Sequence, residues 1–379
     1  MSIECGNGLE VKMGKLYHYT SVNGFEGIIR SNSIRMTHSE FLNDPYDCHL
    51  FIKLVDKYLT KKQKLVKDTI NNLTKYRKEV ERIYYETGCD LVAYIEYIQS
   101  HIGLYVMSLT EEQDAMNMWN YYGNGGIELE FDVDNLVNSL RETFESEREF
   151  LSGSKVIYAN ADYNIENISV PNFSQFVLMN RDSKDIFREH RDFINNNSSY
   201  KADQLYATCN LAKFIDTYLK GYVTSMEYLL DNGIIATNTP ADEVYISIFD
   251  NISKLNKFYY WKNDLSLYML VLSALIKSDT YQYENEYRLV YFENTISPQK
   301  RKTEEYGLKS IEANQFLYPF VRFRANRLLN DSISNIIISP MTSNLPIDND
   351  LYEETIQRFL LSCDFDKIGI NYSKHKIRW

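Results

Sequence analysis

The segment YENEYRLVYF, residues 283–292, contains a strand predicted over 287–292 and an E-x-E motif just before it. Side chains of an extended strand point alternately to its two faces. If the whole segment is extended, one face carries Glu284, Glu286 and Arg288, and the other carries tyrosine and leucine. Two carboxylates this close repel each other, which raises the proton affinity of one of them unless Arg288 compensates. The pattern is typical of a site that stabilises a developing cation or takes up a proton, although a solvated salt-bridge stripe on an edge strand would look the same.

Short strand patterns and longer helical patterns alternate on both sides of this segment. Helical spacing of apolar residues fills two blocks, roughly 52–101 and 172–262, and a further helix is predicted over 136–151. No linker rich in Pro, Gly or Ser separates these parts. We therefore expect residues 1–379 to form a single α+β body with a mixed sheet and two helical insertions. The other predicted strands are 16–20, 34–37, 103–110, 126–131, 155–158, 316–323, 336–339 and 368–372.

The composition of the chain restricts its class. Its 379 residues, 44% of them hydrophobic and 25% charged, can bury a core without disulfides or a structural metal. The formal net charge of -11 argues against charge-driven binding to duplex nucleic acid over the whole surface, though not against a local basic groove. A mean hydropathy of -0.40, no long apolar run and a start without a secretion signal predict a cytoplasmic protein that does not enter a membrane.

Several common catalytic motifs are missing from the sequence. There is no G-x-x-x-x-G-K-[ST], no G-x-G-x-x-G after a strand, no H-E-x-x-H and no G-x-S-x-G. The five cysteines and six histidines are scattered and never have the spacing of zinc ligands. A P-loop NTPase, a Rossmann dehydrogenase, a zinc protease and an α/β-hydrolase are therefore disfavoured, and no metal site is predicted.

Two further polar patterns end predicted strands. His18 alternates with two tyrosines and can face a cleft while they pack, unless a neighbouring backbone carbonyl simply satisfies its ring. Ser108 and Thr110 share one face of the strand 103–110. Thr110 could instead cap a helix, because a glutamine three residues later would complete a capping box.

The order of these motifs along the chain resembles a bacterial domain-of-unknown-function family. Members of that family carry N-D-P-[FY]-E, M-W-x-x-Y and W-x-x-E-x-E-[YW]-R patterns. This chain has N-D-P-Y-D at 43–47, M-W-N-Y-Y at 118–122 and Y-Q-Y-E-N-E-Y-R at 281–288, with Lys277 ahead of the last motif. It departs from the pattern where Tyr281 replaces the usual tryptophan and where the first motif ends in Asp. As a set of spaced motifs, the resemblance covers nearly the whole chain.

A second, looser resemblance is to the ADP-ribosyltransferase superfamily. Its members carry a His or Arg on a first strand, S-x-[TS] on a second strand and E-x-E just before a later one. Here these positions are His18, Ser108-Leu109-Thr110 and Glu284-Asn285-Glu286. Known families of the superfamily hold NAD in a cleft between two small antiparallel sheets. The resemblance therefore implies a mixed or antiparallel split sheet of that fold.

The same resemblance implies roles for individual residues, with NAD as the substrate and no metal. Glu286 would bind the ribose 2′-hydroxyl and stabilise an oxocarbenium-like transition state, while Glu284 would orient or deprotonate the acceptor. Ser108 would support Glu286. The aromatic ring of Tyr19 or Trp119 would stack on the cationic pyridinium ring. The residues expected to bind NAD are His18, Tyr19, Ser108, Thr110, Trp119 and Arg288.

We thus expect an NAD-consuming ADP-ribosyltransferase, or a glycohydrolase if water is the acceptor, that acts as a bacterial toxin or antiphage defence effector. The acceptor would be a protein or a nucleic acid, which the sequence does not identify. An antitoxin or another regulatory protein would be a further partner. Two alternatives stay open. One is a metal-dependent nuclease or nucleic-acid-binding effector, with Asp44, Asp47, Glu284 and Glu286 around magnesium. The other is a non-enzymatic sensing or interaction module.

Overall fold

The computed structural model describes most of the chain. The turn residues Asn43, Pro45 and Asp47 lie outside the described residues, as does most of the segment 171–208. The described residues are 14–42, 44, 48–123, 125–144, 149–160, 162, 164–170, 177–178, 209–255, 265–293, 304–311, 314–324, 329–344 and 348–375.

The strands of the described residues form one large sheet and two short two-stranded ladders. In chain order they are β1 (Lys15–Thr20), β2 (Ser33–His38), β3 (Leu104–Thr110), β4 (Ile127–Asp132), β5 (Glu149–Lys155), β6 (Ile157–Ala159), β7 (Ser169–Val170), β8 (Val177–Leu178), β9 (Cys209–Asn210), β10 (Ile276–Ser278), β11 (Glu286–Glu293), β12 (Glu305–Ile311), β13 (Asn314–Arg324), β14 (Ile333–Ile338) and β15 (Gly369–Tyr372).

Helices occupy much of the remaining described chain. Ser21, Asp90 and Asp132 each begin a helix, because their side chains accept a hydrogen bond from the backbone N–H three residues on. The α-helices are Val22–Ser31, Leu50–Lys61, Gln63–Leu73, Arg77–Glu81, Leu91–His101, Met116–Met118, Val133–Arg141, Leu211–Asp231, Ala241–Leu255, Leu265–Leu275 and Asn349–Ser362. Shorter helical turns are Ser39–Phe41, Arg82–Glu86, Trp119–Gly123, Ile165–Asn167, Asp279–Glu284 and Pro340–Asn344.

Strand β3 is central to the large sheet, and its two edges are used differently. The main path of the sheet runs β12-β13-β2-β3-β1-β4-β14-β15, and most of its pairs are antiparallel. Along one edge, β3 pairs with β11 over the length of both strands. Along the other edge, it pairs with β1 only at Thr110 and with β2 from Val106 toward the beginning of β3. The strands β1 and β2 therefore diverge beside the middle of β3.

Side chains of β3 alternate between two hydrophobic cores, one on each face of the sheet. Leu104 and Val106 belong to the first core, while Met107 and Leu109 belong to the second. The first core includes the helices between residues 50 and 101 and those between 211 and 275. The second includes the helices Val22–Ser31, Val133–Arg141 and Asn349–Ser362.

The mixture of helices with a mixed, open sheet confirms the α+β class, but some predicted elements are wrong. The helix predicted over 136–151 ends at Arg141, and residues 149–155 form strand β5. Phe150 and Leu151, consecutive in this strand, are both buried on opposite faces. Because such a strand lacks polar alternation, its apolar residues extended the helical spacing of the preceding segment.

The two helical blocks differ in how well the prediction describes them. The described chain between Leu50 and His101 is helical with short connections, as predicted for 52–101. Within 172–262 the described residues include two long helices, but also the short strands β8 and β9, which a purely helical block would not contain. No helix in the described part of the chain combines the length and apolar character needed to cross a membrane.

Candidate functional site

A cavity of about 470 Å³ opens where β1 and β2 diverge beside β3. This volume lies within the usual range of pockets that hold small molecules. Trp119 is the predicted site residue that does not line it. The others all do: His18, Tyr19, Ser108, Thr110, Glu284, Glu286 and Arg288.

The cavity lies at one end of a face shared by β3 and β11, where the side chains change from apolar to polar. Toward one end of the ladder, this face carries apolar side chains of the first core. Toward the other end, Ser108 lies opposite Arg288 and Thr110 lies opposite Glu286. The same strand register that builds the core therefore also positions the polar groups of the cavity.

Glu286 is a buried carboxylate held by two cations. The residue is 5% exposed, and its Oε1 accepts a hydrogen bond from Nε of Arg288 at 2.8 Å. Its Oε2 accepts one from Nζ of Lys277 at 3.0 Å, and the nearby Ser108 side chain helps to lower the carboxyl pKa. Burial by itself would raise the pKa of Glu286, but the charges of Arg288 and Lys277 outweigh it and lower the pKa to about 2. Glu286 is therefore a fixed anion at neutral pH.

Glu284 reaches the same cluster from a different backbone conformation. It ends a 3-10 turn, and β11 begins two residues later, so the segment is not extended at Glu284 and strand alternation does not place this side chain. The intervening Asn285 has a φ of 42°, a left-handed conformation that Asn tolerates better than most residues. The Glu284 carboxylate accepts hydrogen bonds from Nζ of Lys277 at 2.7 Å and from the hydroxyl of Tyr122 at 2.5 Å.

His18 links β1 to the middle of β3, on the cavity side of the point where the strands diverge. Its Nδ1 lies 3.1 Å from the carbonyl oxygen of Ser108. Burial lowers the pKa of His18, so the ring is neutral at pH 7. Because a carbonyl can only accept, Nδ1 carries the proton and Nε2 is left as a hydrogen-bond acceptor. Both interpretations of His18 therefore hold: its Nδ1 is bonded to a backbone carbonyl, and its ring also lines the cavity.

The hydroxyl of Thr110 organises the backbone beside the cavity. It donates a hydrogen bond to the carbonyl oxygen of Glu284 at 2.6 Å and accepts one from the backbone N–H of Glu112 at 3.0 Å. The predicted capping box is not formed, because the next helix begins only at Met116. Thr110 instead ties the end of β3 to the turn that carries Glu284.

Trp119 packs behind the cavity and does not line it. The residue is 0% exposed, and its Nε1 donates a hydrogen bond to Oδ1 of Asp114 at 2.9 Å. Its ring meets that of Tyr19 edge to face, with the ring centroids 4.8 Å apart. A fully buried ring cannot present its face to a ligand, so the structure does not support the predicted stacking of Trp119 on the pyridinium ring. Its contacts fit a supporting role for Tyr19, whose side chain does line the cavity.

Sequence analysis missed the groups that connect these carboxylates. Lys277 is 6% exposed and lies on β10, which pairs with β6 outside the large sheet. Its position ahead of the motif 281–288 was the only signal for it, and nothing in the local pattern predicted its contacts. Tyr122, which ends the motif 118–122, donates a hydrogen bond to Glu284, and the motif alone gives no signal for this contact.

The carboxylates considered for magnesium do not form a common cluster in the described part of the chain. No three or more His, Cys, Asp or Glu side chains among the described residues are arranged to hold a metal ion. Glu284 and Glu286 both bind the ammonium group of Lys277. Asp44 lines the cavity, and Asp47 lies outside the described residues.

Residues 118–289 of the chain match a model of a known protein family. The family is DUF2971, described as a protein of unknown function. This confirms the predicted resemblance to a domain-of-unknown-function family for this part of the chain, while the motif at 43–47 lies outside the match. The DUF2971 match includes Lys277, Glu284 and Glu286, while His18 and Ser108 precede it. Searches of curated proteins and of solved structures found no match.

Proposed function

We propose that this protein cleaves the bond between nicotinamide and ribose in NAD and transfers ADP-ribose to an acceptor or to water. The main support is that His18, Ser108 and Glu286, which come from three strands, line a single cavity. They do so in the chain order that resembles the ADP-ribosyltransferase superfamily. The second support is that the central carboxylate is charged under all physiological conditions, because its pKa is about 2.

The reaction makes a positive centre at C1′ of the ribose. The bond between C1′ and the ring nitrogen breaks, and its electron pair leaves with nicotinamide, which becomes neutral. An acceptor lone pair then forms a new bond to C1′, and the acceptor loses a proton. An anion fixed near C1′ stabilises this transition state more than the ground state. Glu286 is the group for this role, accepting a hydrogen bond from the 2′-hydroxyl.

Other cavity residues serve binding and acceptor activation in this proposal. The free Nε2 of His18 accepts a hydrogen bond from a ribose hydroxyl or from the carboxamide of nicotinamide. Glu284, beside Glu286 but held from a separate turn, faces the acceptor. The ring of Tyr19, an element of the cavity wall, packs against the pyridinium ring. The cationic side chains of Lys277 and Arg288 pair with Glu284 and Glu286 and keep these carboxylates in place.

Release of nicotinamide from NAD tests the proposal directly. We expect wild-type protein to release it, with or without a cell extract as the source of acceptor. Glu286→Gln should reduce release by about 10²–10³-fold, the usual effect of removing one electrostatic stabiliser of a transition state. Glu26→Gln, at an exposed helix position bonded to Arg30, is the matched control and should leave the rate unchanged. Equal release by wild type and Glu286→Gln would remove the assignment.

The biological role follows from the same chemistry. An enzyme that consumes NAD depletes a central cofactor of its own cell, which fits a toxin or antiphage defence effector held in check by a partner protein. Expression of wild type in a bacterial host should then lower cellular NAD and arrest growth, while Glu286→Gln should do neither. Arrest by both forms would instead favour the non-enzymatic interaction module.

A further inference from the structure

The ammonium group of Lys277 lies at the centre of the carboxylate pair. Its Nζ is 2.7 Å from Oε2 of Glu284 and 3.0 Å from Oε2 of Glu286. It also lies 4.6 Å from the centroid of the Tyr281 ring, within the range of a cation–π contact. Two carboxylates and an aromatic face are thus arranged around one internal cation.

The two carboxylates are carried by separate pieces of backbone. Glu284 ends a 3-10 turn, Glu286 begins β11, and Asn285 between them is in the left-handed region. Lys277 comes from a third piece, β10, which belongs to a different ladder. The ammonium group is therefore a cross-link that fixes the positions of the two acids relative to each other.

Counted over the described residues that contact one another here, the charges of the cluster balance only when Lys277 is present. Glu284 and Glu286 contribute two negative charges, and Lys277 and Arg288 contribute two positive charges, all of them nearly inaccessible to water. Arg288 bonds Glu286, whereas the only cation within ion-pair distance of Glu284 among the described residues is Lys277. Removing Lys277 would leave Glu284 as a buried carboxylate without a charge partner.

We propose that Lys277 is the positioning residue of this site: its ammonium group holds Glu284 and Glu286 at a fixed separation and keeps them acting as a pair. The expected effect of Lys277 on the reaction rate rests on the proposed function, whereas its expected effect on the structure does not. Lys277 does not touch the reacting atoms in this proposal. It acts through the two carboxylates, one on the ribose side and one on the acceptor side.

Chemical rescue of Lys277→Ala is the experiment that separates charge from packing. The substitution removes three methylene groups and the ammonium, a fragment that added n-propylammonium can replace and that 1-propanol can replace only in shape. We expect Lys277→Ala to lower kcat by about 10²-fold, as misplaced catalytic groups do, with a much smaller change in KM. n-Propylammonium should restore part of the rate, and 1-propanol should not. Wild-type kcat in the variant, or equal rescue by the two additives, would overturn the proposal.

The pH profile gives a readout that a merely structural lysine would not change. Loss of an opposite charge within about 4 Å raises a carboxyl pKa by about 1–3 units. The acid limb of kcat should therefore move upward by that amount in Lys277→Ala and return toward the wild-type position in Lys277→Arg. An unshifted acid limb would contradict the role. Lys155→Ala is the matched control, since this exposed lysine also pairs with a glutamate, Glu111, at 2.7 Å. It should show neither effect.

Thermal unfolding distinguishes failure of this inference from failure of the proposed function. If wild type releases no nicotinamide, the proposed function fails and the kinetic readouts are replaced by the midpoint of unfolding. Lys277→Ala should then unfold at a lower temperature than wild type, and n-propylammonium should raise its midpoint more than 1-propanol does. Equal shifts by the two additives would show that Lys277 fills space and does not balance charge, which overturns the inference independently of NAD.

Discussion

Arg288 and Glu286, two residues apart on β11, form an ion pair inside the protein, with Nε of the arginine 2.8 Å from Oε1 of the carboxylate. The arginine is 1% exposed, and its Nη1 also donates a hydrogen bond to the carbonyl oxygen of Ala274 at 2.6 Å. The pair thus connects the large sheet to the end of the helix Leu265–Leu275. Arg288 compensates the charge of Glu286, as predicted, whereas the charge of Glu284 is compensated by Lys277.

Removing Arg288 should destabilise the protein strongly. Arg288→Met leaves Glu286 buried with a single cation and breaks the link to Ala274. Loss of one partner from a buried pair costs about 3–5 kcal/mol, and urea denaturation followed by tryptophan fluorescence would measure it. Arg324→Met is the control, because Arg324 is largely exposed and its nearest carboxylate oxygen is 3.8 Å away. A loss below about 1 kcal/mol for Arg288→Met would show that the pair is dispensable.

Glu128 should make stability depend on pH near neutrality. Its side chain is 0% exposed, and burial raises its pKa to about 7, although a hydrogen bond from the Asp114 backbone N–H opposes the shift. Its Oε1 has no hydrogen-bond partner among the described residues. The folded protein therefore binds this proton more tightly than the unfolded chain. The stabilisation is complete below the unfolded pKa of about 4.5 and is lost as the pH rises through 7.

Glu128→Gln imitates the protonated form at every pH. We expect the variant to exceed wild type in unfolding free energy by roughly 3 kcal/mol at pH 8.5, with the difference shrinking toward pH 5. Urea denaturation at the two pH values measures this, and Glu26→Gln serves as the exposed control. A difference that does not change with pH would rule out titration of Glu128 as its cause.

His18 should remain neutral at pH 7 with its proton on Nδ1. Burial lowers its pKa below 6.5, although the hydrogen bond to the Ser108 carbonyl opposes the shift. Because a base with a lowered pKa binds fewer protons in the folded state, stability should fall as the pH drops below about 6.5. Nitrogen-15 NMR of the imidazole reports both tautomer and titration. A ring protonated on both nitrogens at pH 7 would contradict the assignment.

The hydroxyl of Tyr19 should contribute to the stability of the cavity wall. It donates a hydrogen bond to the carbonyl oxygen of Glu112 and accepts one from the N–H of Ala115, both at 2.8 Å. Tyr19→Phe leaves these two backbone groups without that partner, so we expect a loss of about 1–3 kcal/mol in thermal or urea unfolding. Tyr306→Phe is the matched control, because the Tyr306 side chain is exposed and loss of its hydrogen bond to Glu304 should change little.

The sequence predicted those elements whose side chains alternate or repeat with a single period. β1, β3 and β11 were predicted within one or two residues, because each contains a regular strand pattern. β5 was assigned to a helix, since burial on both faces removes the alternation. β12 was not predicted at all. It carries Tyr306 and Leu308 toward solvent, so its apolar residues do not mark a core-facing side.

The candidate site was predicted where the chemistry is local and missed where it depends on tertiary contact. Glu284 and Glu286 stand two residues apart in an unusual motif, and the sequence alone brings attention to them. The partner that joins them, Lys277, has no pattern of its own, since a single lysine between an apolar helix and a polar turn resembles any exposed lysine. Trp119 was misassigned for the opposite reason, because its motif does not reveal whether its ring faces the cavity or the core.

The ladder between β3 and β11 both builds the core and positions the polar groups of the cavity, which restricts the insertions and deletions that these strands tolerate. A one-residue shift in the register of β11 against β3 would turn Glu286 and Arg288 toward the second core and bring Tyr287 and Leu289 to the cavity. Insertions or deletions in these two strands should therefore prevent both correct folding and catalysis. Insertions in surface loops that connect helices away from the cavity should be tolerated far better.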